Sequence, residues 1–194
     1  MRTKNIYIFD EYISSHKNGI GTYLRELLYC LNSLEYNIML IIFNTDEREF
    51  TIVEEKNLKK MLFPVLKEHF LFHVQVIDKF LRLFIKDDPN NIFLLNHSPC
   101  LNLIKSLKVN FPFPKIVFTI HDFGWTNSLM GDLNEIKRVL VSEPGLNNDT
   151  REKNVLNYFE EEKKMYRLAD RTICLSRDSY TILRTVYKLD KNKI

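Results

Sequence analysis

The segment KIVFTI, Lys115 to Ile120, is followed at once by His121 and Asp122. An apolar strand that ends on an imidazole delivers it to the rim of a sheet, where it can accept a proton or hydrogen-bond a hydroxyl. Asp122 could bias the ring, although adjacent residues of an extended chain point to opposite faces. The competing reading of His121 is a satisfied histidine at a strand end. His97 closes the run LLNHSP in a similar way, and Pro99 turns the chain there, so His97 either meets a ligand or simply caps its strand. Near the N-terminus, IYIF leads through a polar connection to Asn18, Gly19 and Gly21, and a helical pattern starts immediately. A backbone without side chains suits close approach of a bulky ligand to a helix N-terminus, and equally suits a plain helix start. Ser176 ends the apolar stretch RTICLS.

Several chemistries lack the residues they need. A dinucleotide fingerprint requires G-x-G-x-x-G tight against its strand. Here the third position is Leu24, and about nine residues separate Phe9 from Gly19. No Gly-Lys-Ser/Thr follows, which removes a P-loop, and no G-x-S-x-G elbow occurs. His69 and His73 are four apart on an expected helix, but no third ligand is placed to complete a metal site. Cys30, Cys100 and Cys174 are widely spaced and odd in number, which argues against a disulfide framework and for a reducing cytoplasm.

Positioning these residues requires strands and helices in alternation. Ile6–Phe9 and Tyr36–Asn44 read as buried strands around a helix over about Gly21–Leu34, where Tyr23, Leu24, Leu27, Leu28, Leu31 and Leu34 recur at helical spacing. This βαβ opening implies a parallel sheet with a right-handed crossover. One or two short strands are expected around a polar turn at Lys56–Asn57. A helix over Lys67–Lys86 carries Phe70, Val74, Ile77, Leu81 and Phe84 on one stripe and stops before Pro89. NIFLLNHSP gives a strand, CLNLIKSLK a short helix, and Pro112 and Pro114 the turn into KIVFTIHDFGW. Thr126–Thr150 reads as a partly helical excursion with a mobile tip. Arg151–Leu168 is a charged helix with Val155, Phe159 and Tyr166 inward and FEEEKKMYR as a solvated face, including a Glu160–Lys164 pair. RTICLS is a last strand and Arg177–Tyr187 a last helix.

The alternation predicts an α/β class, a Rossmann-like parallel sheet with helices on both faces. In such sheets ligands bind outside the carboxyl ends of the strands. Four polar clusters converge on that rim: Asp10 through Gly21, Asn96–His97–Ser98, His121–Asp122, and Ser176.

Composition sets outer bounds. A chain of 194 residues, 45% hydrophobic and 27% charged, buries an ordinary globular core. A net charge of +3 gives no footprint for nucleic acid. The first apolar run is broken by Asp10 and Glu11, unlike a signal peptide, and no run approaches the roughly 18 apolar residues of a membrane span.

NGIGTYLRELLYCL after a first strand, TIHD at the end of a later one, and ADRTICLSRDSYTILRTVY near the end occur in that order. Together they resemble the N-terminal domain of GT-B-fold retaining glycosyltransferases of family 4, over nearly the whole chain. The resemblance implies that residues 1–194 form one Rossmann-like, acceptor-side domain, with the C-terminal nucleotide-sugar-binding domain absent after Ile194. The full enzyme would move a sugar from a nucleotide-sugar donor to a hydroxyl acceptor with retention of configuration, and this half alone would be inactive. His121 matches the family histidine that contacts the transferred sugar. Asn18–Gly19 stands where the family has two glycines, so Asn18, Gly19 and Gly21 become cleft residues. Ser176 matches the serine that ends the last strand, and His97 and Asp122 are expected at the same cleft.

No cofactor is implied, because the nucleotide-sugar is a substrate. The expected partners are donor, acceptor and the second domain; peripheral membrane contact is left open. Two other readings remain. One is a stand-alone flavodoxin-like module that binds a ligand or protein without catalysis, and such a module should be polar where a second domain would dock. The other is a nucleotide-sugar epimerase, for which Asp10, Glu11 and Asp122 form no convincing acid/base pair.

Overall fold

The computed structural model describes residues 4–12, 19–34, 36–55, 58–65, 77, 79–96, 101–141 and 150–194. Seven strands form one sheet: β1 (Asn5–Glu11), β2 (Asn37–Thr45), β3 (Thr51–Glu55), β4 (Leu58–Pro64), β5 (Asn91–Leu95), β6 (Lys115–Ile120) and β7 (Arg171–Cys174). Their spatial order is β3-β4-β2-β1-β5-β6-β7. Every pairing is parallel except β3 with β4, which makes β3 an antiparallel edge. The chain moves outward from β1 toward β2 and β4, then returns to β5 and moves out the other way. That reversal opens a crevice at the carboxyl ends of β1 and β5, the usual place for a ligand in such a sheet.

The helices are α1 (Gly19–Ser33), α2 (Leu101–Asn110), α3 (Thr126–Leu129), α4 (Leu133–Val141), α5 (Thr150–Leu168) and α6 (Arg177–Thr185), with a short 3-10 turn at Lys191–Lys193. Alternation along the strands divides the apolar side chains between two faces. On one face Tyr7, Phe9, Phe93, Leu95, Ile116, Phe118 and Ile120 meet α2, α5 and α6 in a large core. On the other, Ile6, Ile8, Ile38, Leu40 and Leu94 meet Leu24, Leu27, Leu28 and Leu31 of α1. No residue of α1 is fully buried, so this helix lies on the sheet with one side only.

Most expected elements are present, with shifted ends. α1 begins at Gly19 rather than Gly21, and Leu34 lies past its end, 63% exposed, instead of on its apolar face. The expected long helix before Pro89 is described only near its end. Ile77 and Leu81 are buried as anticipated, but the helix has given way to a turn by Arg82, and Phe84 is exposed rather than inward. The excursion after His121 is helical at α3 and α4; its expected mobile tip lies outside the described residues, as do His69, His73 and Cys100.

One reading is corrected. Glu162 belongs not to a solvated face but to the buried stripe Val155, Phe159, Glu162 and Tyr166 of α5. On the outer side of the same helix, Lys163 rather than Lys164 pairs with Glu160, at 3.3 Å.

Candidate functional site

Strand β6 leaves the core at Ile120, and the next residue is His121. Its Nε2 lies 3.1 Å from Oδ1 of Asn96, the first residue after β5. An amide oxygen only accepts, so with Asn96 oriented this way Nε2 donates in the pairing. Tyr23 of α1 packs edge-on against the imidazole, with centroids 5.2 Å apart and planes at 80°. Asn96 is in turn anchored to β1, because its backbone N–H donates to the Phe9 carbonyl at 2.9 Å. The imidazole is thus held by three elements at the crevice between β1 and β5. Buried Asp10 sits at the same end of β1.

Asp122 follows His121 past the end of β6 and lines the same rim. Its charge acts on Glu162 of α5. Beyond it, Gly124 N–H donates to Glu162 Oε1 at 2.6 Å, and a Cβ at Gly124 would lie 3.4 Å from both Glu162 and Tyr158. Trp125, fully buried, donates its indole N–H to Tyr187 Oη at 3.1 Å. The Tyr187 hydroxyl donates to Glu162 Oε2. One carboxylate therefore ties together α5, the chain just after His121, and Tyr187, two residues beyond α6. Burial pushes the Glu162 carboxyl up to about 7; the bonds from Tyr187 and Gly124 pull it down, and Asp122 adds to the rise. Burial, reinforced by Glu162, holds the Tyr187 phenol well above the usual tyrosine range.

Between β6 and α5 lies a hollow of about 390 Å³. Its polar lining is Asn96, Thr119, His121, Asp122, Glu161 and Glu162, and Tyr158 and Met165 supply apolar wall. Asn96 Nδ2, Thr119 Oγ1 and Thr172 Oγ1 are buried without a hydrogen-bond partner among the described residues. Two wider hollows, about 610 and 590 Å³, lie at the amino ends of the strands, away from His121.

The structure brings His121 and Asp122 to one hollow and adds Asn96, from the cluster at the end of β5. Ser176 emerges on the neighbouring strand, where Cys174 pairs with Ile120. Its side chain is used as the N-cap of α6, accepting from Ser179 N–H at 3.0 Å. Gly19 is the first residue of α1; a Cβ there would meet nothing within 4 Å, so packing among the described residues does not demand glycine. Gly21 lies in the first turn of the same helix. Asn18 and His97 lie outside the described residues.

Sequence reasoning passed over Tyr23, Thr119 and Glu162. Tyr23 was legible only as part of an apolar helix face. For Glu162 a signal existed, since it stands three residues after Phe159 and four before Tyr166, in line with the inward stripe.

Residues 17–194 match the family model described as Glycosyltransferase Family 4. Among solved structures, the chain is similar to one described as trehalose-6-phosphate from E. coli bound with UDP-2-fluoro glucose, with a TM-score of 0.52 and 10% identity, covering 91% of this chain and 41% of that one. It is also similar to an alpha,alpha-trehalose-phosphate synthase (UDP-forming) from Burkholderia vietnamiensis, with a TM-score of 0.54, 7% identity, and 93% and 42% of the two chains covered. The corresponding enzyme from Burkholderia multivorans gives a TM-score of 0.53 at 10% identity, with 98% and 46% covered. The chain thus spans less than half the length of these structures, and at such identities the likeness is one of fold. No curated protein matches it in sequence.

Proposed function

The chain belongs to glycosyltransferase family 4, and from that premise we propose that it is the acceptor-side half of a two-domain enzyme. That enzyme transfers a sugar from a nucleotide-sugar donor to a hydroxyl with retention of configuration. The observation that carries this reading is the placement of His121: an imidazole fixed by Asn96 and Tyr23 at the crevice where the strand order reverses. Held this way, the ring can hydrogen-bond a sugar hydroxyl and fix it relative to the acceptor without swinging out of register. The donor named for the E. coli neighbour, UDP-2-fluoro glucose, supports a nucleotide-sugar here.

Two further features support a second domain over a stand-alone module. Tyr12, Val65 and Leu175, which follow β1, β4 and β7 at the same rim, are 40%, 44% and 44% exposed. In this reading these side chains are among those a second domain would cover. In addition, no Lys or Arg among the described residues lines the hollow beside His121, so in this reading stabilising the leaving phosphate falls to the second domain. The 194-residue chain by itself is therefore inactive in this reading.

The test is His121→Ala in the polypeptide that carries both domains. Transfer from a nucleotide-sugar should fall by about 100-fold or more, whereas near-normal turnover would remove His121 from the reaction.

A further inference from the structure

We propose that Glu162 is a positioning residue for the transfer: by holding the backbone of Gly124 it fixes where His121 stands at the end of β6. This rests on the transferase reading above and adds to it a residue that acts from the opposite face of the sheet.

Strand β6 ends at Ile120 and α3 begins at Thr126, so His121 heads a connection that lies outside any strand or helix. Phe123 and Trp125 turn their side chains into the core, 3% and 0% exposed, and Gly124 between them offers only its backbone. That N–H is taken by Glu162 Oε1 at 2.6 Å. The approach is close, since a Cβ on Gly124 would stand 3.4 Å from the same oxygen. Asn96 and Tyr23 hold the imidazole from β5 and from α1. Glu162 holds the backbone that follows it from α5, which packs on the other face of the sheet.

The carboxyl is itself immobilised. Its Oε2 accepts from the Tyr187 hydroxyl, and Tyr187 Oη accepts from the Trp125 indole at 3.1 Å. The Tyr187 ring stacks on Phe159 of α5, with centroids 4.6 Å apart, and on Phe123 at 5.5 Å. A closed circuit thus runs from Gly124 through Glu162 and Tyr187 to Trp125, the next residue in the chain. Asp10 and Glu162 are the two acids buried among the described residues. Burying a carboxyl is costly, and an apolar side chain would suit the inward stripe of α5. An apolar side chain, however, has no acceptor for the Gly124 N–H. Misplacing a reacting group by about 1 Å can cost about 100-fold in rate, so a tether three residues from the imidazole bears on turnover.

The experiment uses the polypeptide that carries both domains, labelled with ¹³C-histidine, and the variants Glu162→Leu, Glu162→Asp and Glu162→Gln. The first removes the acceptor, the second keeps the charge but falls one methylene short of Gly124, and the third keeps an oxygen at full length without the charge. Transfer is read as nucleoside diphosphate released from a panel of UDP- and GDP-hexoses, with methyl glycosides as acceptors. Glu162→Leu and Glu162→Asp should each lower kcat per folded molecule by about tenfold, with the KM for the nucleotide-sugar within about twofold. Both should also shift the His121 ring signal, identified by its loss in His121→Gln. Glu162→Gln should stay within about threefold of wild type and leave that signal in place. If Glu162→Leu does not fold, the comparison of Glu162→Asp with Glu162→Gln decides. A kcat within about twofold of wild type in Glu162→Asp keeps the transferase, makes Glu162 a packing residue and overturns the proposal. Glu162→Gln falling as far as Glu162→Asp overturns it as well, because charge rather than the tether would then matter. A wild type that releases no nucleotide discards the transferase reading, and the His121 signal then decides alone: a shift in Glu162→Asp but not in Glu162→Gln supports the tether, and no shift removes it.

Discussion

At the amino ends of the strands, Asn37, Asn5 and Asn91 stand in register across β2, β1 and β5. Asn37 Nδ2 donates to Asn5 Oδ1 at 3.0 Å, Asn5 Nδ2 donates to Asn91 Oδ1 at 2.8 Å, and Asn91 Nδ2 donates to the Lys86 carbonyl at 2.7 Å. At the carboxyl ends of the same sheet, Asn96 also sits beside a neighbouring strand's polar side chain, but only its oxygen is used. The two ends share a residue type and differ in how far its bonding is completed. A closed ladder holds strands in register and has nothing left to offer a ligand. An open one costs stability and is retained where binding recovers that cost.

Substitutions at the two ends should therefore separate activity from stability. The largest effect belongs to His121→Ala, which lowers transfer by about 100-fold or more while the melting temperature stays within a few degrees of wild type. A matching collapse in stability would show that His121 is a packing residue. Next is Asn91→Ala, in the ladder. It removes the acceptor of one amide and the donor to the Lys86 carbonyl, so denaturant unfolding should report a loss of about 1–3 kcal/mol with activity per folded molecule retained. A loss below about 0.5 kcal/mol would mean the ladder is ornamental.

Glu162 gives a pH test of similar or smaller size. Its carboxyl titrates at about 7 in the folded chain against an ordinary value of 4.5. Between those values the folded state keeps a proton that the unfolded state releases. The contribution is thus complete below about pH 4.5 and is lost as pH rises through 7. Stability of wild type relative to Glu162→Gln should fall by about 1–3 kcal/mol from pH 4.5 to 7.5, and a flat difference would contradict the assignment. The smallest effect is Asn96→Leu. Losing the bond to His121 is offset by removing an unpartnered donor, so stability should stay within about 1 kcal/mol. A drop of several kcal/mol would place Asn96 with the closed ladder.

The strand leading to His121 was legible because a strand is a local matter: five apolar or β-branched residues in a row have one stable use, and the residue after them must surface. The α/β alternation was legible for the same reason. The opening glycines were read as a cleft wall or a helix start, and the helix start is what the described residues display at Gly19. Ser176 was read as a rim residue; it lies just past the end of β7, and its side chain accepts in a helix cap.

What periodicity cannot report is whether a polar side chain finds a partner. The ladder joins residues 32 and 86 apart, His121 meets Asn96 across 25 positions, and Gly124 reaches Glu162 across 38. Sequence alone determined the class of fold and the order of its elements, because each follows from short-range patterns of apolar burial. Only the tertiary structure decided that Glu162 is buried, that Tyr23 braces the imidazole, and that the amide of Asn96 is left open while those of the ladder are closed. Hydrogen-bond satisfaction depends on groups brought together by the whole chain, and no window of sequence contains them.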